Sequence, residues 1–154
     1  MCHVCGLKNA AGLKASFYEL ENGELLALYR PREEHQGYPG RLHGGIAASL
    51  LDETIGRAIM TTDKNNYWGV SVELTTRFKN PIPLGSEVRV LSRITKNSSR
   101  IFEGTGEILL EDGTVAVEGQ GKYIKMPLEK IAGSELEEQW KIVTSPDDPT
   151  EIEL

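Results

Sequence analysis

Two adjacent carboxylates, Asp52 and Glu53, stand in the middle of an otherwise mostly apolar run, GIAASLLDETIGRAIM. A carboxylate in such a setting costs free energy unless it is solvated or paired, so it suits a site better than a packed face. Glu53 has a simple alternative, because Arg57 lies four residues on, a favourable helix pair. That pairing is the stronger reading of Glu53, with contact to a substrate as the other. For Asp52 the order is reversed, and a place in a site is the stronger reading.

The same run begins Leu42-His43-Gly44-Gly45. Unpaired amides at a helix N-terminus, with the positive end of its dipole, favour developing negative charge. Two glycines there let a substrate carbonyl come against the backbone, which is the geometry of an oxyanion hole. Taken alone, His-Gly-Gly is equally what a turn before a helix prefers.

Other chemically capable residues carry less. Cys2 and Cys5 form one CxxC with His3 between them. No second CxxC or spaced histidine pair completes four zinc ligands, so no metal site is expected and a structural or incidental role is favoured. His35 falls in a loop with Gln36 and reads as a solvated loop residue. Arg41, Arg77 and Lys79 are candidates for phosphate contact, although cations at strand ends are usually just solvated. Tyr67 and Trp68 read as core or edge packing, or as the wall of an apolar pocket.

These residues need elements to hold them. Residues 13–20 and 24–30 read as strands joined at Glu21-Asn22-Gly23, and 31–42 as a loop. From Gly44 to Thr62 the apolar residues recur at helical spacing, predicting one long helix. Projected at about 100° per residue, Ile46, Ala47, Leu50, Leu51, Thr54 and Ala58 make a broad packing face. Gly45, Ala48, Ser49, Asp52 and Gly56 make a second stripe of small residues with one carboxylate, as in a contact surface or pocket wall. Strands follow at 68–78, 86–96, 100–110 and 114–125. The glycines within them (Gly104, Gly106, Gly119, Gly121) suggest bulges or strong curvature. Two strands, a helix and four strands make an α+β domain, with a curved antiparallel sheet wrapped around one helix.

Composition narrows the classes. At 154 residues a single domain is expected, spanning 1–126, with an acidic tail at 127–154 that holds one possible short helix at 134–140. That tail carries eight Asp/Glu against two Lys, the whole net charge of −6, so residues 1–126 sum to zero. An anionic ligand is therefore not excluded from the body, while nothing resembles the basic face that nucleic acid requires. No apolar stretch is long enough to span a membrane. The first residues lack signal-peptide character, and two cysteines make no disulfide framework, which agrees with a cytoplasmic setting.

LHGGIAASLLDE resembles the hotdog-fold thioesterases of the PaaI and acyl-CoA thioesterase types, with a helix Asp seven residues after the second Gly of His-Gly-Gly. GVSVELTTRFKNPIPLG (69–85) is similar to the strand that follows in that family. The opening Cys2-x-x-Cys5-Gly6…Asn9…Gly12-Leu13 resembles the N-terminal signature of a PaaI-like subgroup. The likeness covers residues 2–126.

The resemblance implies a catalytic set. The Gly44 amide polarises a thioester carbonyl with Gly45 beside it, His43 shapes the site, and Asp52 activates water or attacks directly, acting on substrate held by the His43-Gly44 end of the partner subunit. Ser71 falls where relatives hold the lytic water with Ser or Thr. Relatives place Asn or Gln six residues before the His, but Gly37 stands there, with Gln36 one residue earlier. The implied activity is hydrolysis of acyl-CoA without metal or organic cofactor, in a homodimer or dimer of dimers. Two alternatives are a hotdog hydratase or dehydratase, which needs a differently placed His/acid pair, and a non-catalytic acyl-CoA binding module.

Overall fold

The computed structural model describes residues 1–63, 67–132, 143, 144, 146 and 148–152. The elements run β1 (Ser16–Glu19), β2 (Leu25–Tyr29), a 3-10 turn (Glu33–His35), α1 (Gly44–Arg57) and α2 (Ile59–Thr62). β3 (Tyr67–Phe78), β4 (Val88–Asn97), β5 (Ile101–Leu109), β6 (Val115–Pro127) and α3 (Leu128–Ala132) follow. All six strands join one antiparallel sheet in the order β1-β2-β4-β5-β6-β3, wrapped around α1. The hotdog arrangement expected from the sequence is thus the one observed. The possible helix at 134–140 lies outside the described residues.

Turn chemistry accounts for the strand connections. Gly23 and Gly113 both take φ of 81°, a left-handed conformation that glycine adopts without steric cost. Each closes a hairpin through paired backbone bonds, Leu20 to Glu24 and Leu110 to Thr114, both 2.9 Å. The predicted helix over 44–62 is found, its two segments α1 and α2 meeting at Ala58. Its N–H is shared between Thr54 O (3.1 Å) and Ile55 O (3.2 Å), the tightening common at a helix terminus.

The strand glycines do something other than bulge. Gly104 faces Gly121 and Gly106 faces Gly119 across β5 and β6, in uninterrupted register. A Cβ on Gly104 would lie 2.7 Å from Ile55 Cγ2, and one on Gly119 would lie 3.2 Å from Leu51 Cδ1. Gly104, Gly106 and Gly119 form a floor without side chains that lets α1 settle close to the sheet, with Leu51 and Ile55 fully buried, while Gly121 makes room for the Tyr123 ring. Gly56 belongs to this packing too. It is buried under the Tyr123 ring, so this end of the small-residue stripe is a contact surface.

Register shifts fall elsewhere, at Ile94/Lys96, Ile108/Leu109 and Ser71/Glu73. β3, with the last of these, is the terminal strand of the sheet. Val72 and Phe78 on it are 54% and 56% exposed.

Candidate active site

α1 presents Asp52 to the inner end of β3 and β6. Ser71 Oγ donates to Asp52 Oδ1 at 2.7 Å, and the Tyr123 hydroxyl donates to the same oxygen at 3.2 Å and to Asp52 O at 3.1 Å. Among the described residues no donor is recorded for Oδ2. One carboxylate oxygen is therefore anchored twice and the other is not. The shift at Ser71/Glu73 leaves Val72 as the extra residue, and such a bulge re-aims neighbouring side chains.

Tyr123 was not singled out from the sequence. Its ring is fully buried, stacked on Phe102 at 5.0 Å between centroids. Burial, and then the Asp52 charge, push its phenol well above the usual tyrosine range, so it remains a donor. The available signal was a tyrosine in a glycine-rich strand, which says nothing about a distant aspartate.

At the helix start, His43 is the N-cap, and its Nδ1 accepts the Gly45 N–H at 2.9 Å. That bond fixes the imidazole as an acceptor at Nδ1 and uses up the Gly45 amide. The Gly44 N–H has no recorded acceptor among the described residues, and Gly44 is exposed. A cavity of about 240 Å³ opens beside it, between Phe78, Lys79, Ile82 and Val117. Gly44 and Asp52 are eight residues apart on one helix, about 12 Å at 1.5 Å per residue.

The remaining candidates are spread more widely. Gln36 Oε1 accepts the Gly40 N–H at 2.7 Å, while Gly37 packs directly on His43, where a Cβ would meet His43 Cα at 3.1 Å. Lys79 is ion-paired with Glu118, and Arg77 is exposed opposite Glu118 in the register. His35 is buried, contrary to the solvated reading. The 3-10 turn tucks it under Tyr29, whose hydroxyl lies 2.6 Å from Nδ1, and Arg32 N–H donates to that atom at 3.2 Å. Burial, and then the Arg32 charge, hold its pKa below 6.5.

Glu53 makes the anticipated ion pair with Arg57 at 2.9 Å. Its carboxylate also lies beside the N-terminal cysteines, 3.9 Å from Cys5 Sγ, whereas Asp52 reaches Ser71 and Tyr123. Burial raises the Glu53 pKa, with Arg57 pulling the other way.

Residues 39–117 match the sequence profile of the thioesterase superfamily. The chain belongs to that family. An acyl-coenzyme A thioesterase THEM4 of Xenopus laevis is 30% identical over 112 residues, covering 71% of this chain and 49% of that protein. Human acyl-coenzyme A thioesterase 13 is 27% identical over 103 residues, covering 67% and 72%. A crystal structure of a thioesterase superfamily protein superposes with a TM-score of 0.73 at 29% identity, covering 79% of this chain and 62% of the other. The chain thus spans about half the length of the THEM4 relative. Among the described residues no helix is long and apolar enough to cross a membrane.

Proposed function

We propose that this thioesterase-family chain hydrolyses acyl-CoA thioesters at a site shared between two copies. The observation that carries the proposal is the Asp52 carboxylate, anchored at Oδ1 by Ser71 and Tyr123 and open at Oδ2. Water lodged beside Ser71 gives its proton to Oδ2 as its oxygen attacks the thioester carbonyl. The resulting oxyanion is met by a Gly44 N–H at the positive end of α1. Collapse of the tetrahedral intermediate breaks the C–S bond. The proton on Asp52 then goes to the departing thiolate, so free acid and coenzyme A leave and the carboxylate is restored. Direct attack by Asp52 through an anhydride uses the same groups.

One carbonyl cannot lie about 3 Å from both a Gly44 amide and Asp52 of the same helix when these are about 12 Å apart. A second copy solves the distance, with Gly44 of one protomer facing Asp52 of its partner. The exposed, terminal β3 edge, with Val72 and Phe78, is the surface that such a homodimer would pair. The acyl chain enters the cavity beside Phe78 and Ile82, with Arg77 and Lys79 toward the coenzyme A phosphates.

The test is thiol release by purified protein from a panel of saturated, unsaturated, 3-hydroxyacyl and aromatic acyl-CoAs. Steady release from saturated substrates supports hydrolysis. Hydration without thiol release, or binding with no turnover, sinks it.

A further inference from the structure

The N-terminal segment brings two sulfurs against the Asp52-bearing helix at the neighbouring residue, Glu53. Cys2 Sγ, Cys5 Sγ and a Glu53 carboxylate oxygen all lie within 4.8 Å of one another. We propose that these three atoms form a binding site for a thiophilic divalent metal ion of the zinc class, its fourth position filled by water.

The dimensions suit such an ion. Tetrahedral zinc, at about 2.3 Å from sulfur and about 2.0–2.2 Å from a carboxylate oxygen, keeps neighbouring ligands roughly 3.5–3.8 Å apart. The three donors need to close by about 1 Å or less, within the reach of side-chain rotation. Two sulfurs and one oxygen select zinc-like ions over calcium or magnesium, which take oxygen ligands.

The backbone holds the sulfurs in place. The chain turns so that the N–H groups of Val4 and Cys5 point at Cys2 Sγ, at 3.3 and 3.5 Å. Gly6 N–H closes the turn on Cys2 O at 3.0 Å, and a Cβ on Gly6 would lie 2.4 Å from that oxygen. Only glycine fits there. The Lys14 ammonium grips the loop by donating to Gly6 O at 2.8 Å and to Leu7 O and Asn9 O at 2.5 Å. Leu13 N–H to His3 O (2.8 Å) and Ala15 N–H to Val4 O (3.0 Å) tie it to the start of the sheet.

Arg57 supplies the outer support that ligating groups require. Its guanidinium donates to Glu53 Oε1 at 2.9 Å and to Cys5 Sγ at 3.3 Å, and is itself seated 4.3 Å over the Phe17 ring. Charge closes as well. Two thiolates and the carboxylate carry three negative charges against the one of Arg57, and a divalent ion makes the cluster neutral. Each thiol that ligates gives its proton to solvent, so binding releases protons and no electrons are transferred. The ion would clamp the N-terminal turn to the middle of α1, one residue from Asp52 and about 100° round the helix from it.

The test uses the reduced full chain, stripped with a chelator and titrated with Co²⁺. One equivalent should produce thiolate-to-cobalt charge-transfer absorption and the strong visible bands of tetrahedral cobalt. Zn²⁺ should then bleach them stoichiometrically and shield both thiols from alkylation. Cys2→Ser and Cys5→Ser should each diminish the charge-transfer band. Glu53→Gln should keep that band but weaken affinity by at least about tenfold, the loss that even an outer partner incurs. The wild-type titration decides even where a variant misfolds. No band in protein with two free thiols would overturn the assignment, as would undiminished affinity in Glu53→Gln. So would a Cys2–Cys5 disulfide that forms as fast with Zn²⁺ as without it, which would leave the pair as a redox couple.

Discussion

Ser71 and Tyr123 face each other directly across β3 and β6, and both donate to the same oxygen of Asp52. A strand pair thus delivers two hydroxyls to a helix carboxylate, one exposed and one buried.

Asp52→Asn keeps the size of the side chain and part of its hydrogen bonding while removing the basic oxygen. General-base contributions are about 10²–10⁴-fold, so kcat should fall by about that factor. KM should move far less, because the loss falls on the transition state. Steady-state kinetics on protein with an unchanged circular dichroism spectrum is the check. A wild-type rate would move the chemistry off this helix.

Tyr123→Phe retains the ring stacked on Phe102 and deletes only the hydroxyl. The lost hydroxyl is one of two donors that hold Asp52 Oδ1, so the carboxylate becomes free to rotate away from Ser71. Steady-state kinetics should show kcat reduced and KM changed far less, because the loss falls on the transition state. An unchanged kcat in a correctly folded variant would remove Tyr123 from the positioning of Asp52.

Gly104→Ala should destabilise by about 1–3 kcal/mol, the usual cost of forcing extra atoms into a packed core. Its Cβ would meet the Arg93 backbone oxygen at 2.9 Å as well as Ile55, and that oxygen cannot swing away. Gly119→Ala meets only the ends of Leu51 and Ile55, at 3.2–3.4 Å, and should cost less. Thermal melts of the two variants give the order directly, and equal or reversed losses would contradict the glycine floor.

Periodicity and spacing made α1, the Asp52 position and the six strands legible, because these depend on residues close in sequence. Tyr123, the burial of His35 and the meeting of Glu53 with Cys2 and Cys5 were not. The first and last depend on chain segments brought together only by the sheet closing around α1, from Asp52 to Tyr123 and from Cys5 to Glu53, whereas His35 is buried by a local 3-10 turn that folds it back on Tyr29. The strand glycines pointed to bulges or strong curvature, while the room that Gly104, Gly106 and Gly119 leave is set by Leu51 and Ile55 on another element.

His35 is surrounded by Tyr29, Arg32, Glu34 and His3, and its pKa is held below 6.5 by burial first. The folded protein binds fewer protons at this site than the unfolded chain. The stability this provides is complete above pH 6.5 and is lost as pH falls from there toward the lowered folded value. Denaturation midpoints for wild type should drop across that window more steeply than for His35→Asn, which has no proton to take up. Parallel curves would remove His35 as the cause.

The two-chain site makes the sharpest prediction, because it can be tested by mixing dead proteins. Gly44 is the first residue of α1, and His43 before it has φ −67° and ψ 133°, a conformation compatible with a following proline. Gly44→Pro thus deletes one N–H with little disturbance of the helix, and a Cβ there meets Phe78 only at 3.4 Å. Loss of an oxyanion donor costs about 10²–10³ in kcat. Asp52→Asn and Gly44→Pro should each be nearly inactive alone. In a hybrid dimer, Gly44 from the first variant meets Asp52 from the second, giving one intact site, while the opposite site carries both defects. Random re-assortment makes half of the dimers hybrids, each with one of two sites working, so activity should return to about one quarter of wild type. If Gly44 and Asp52 of the same chain served one substrate, no hybrid would hold an intact site and mixing would recover nothing. Denaturing, mixing and refolding the pair, with each variant refolded alone as the reference, therefore decides whether catalysis crosses the β3 edge.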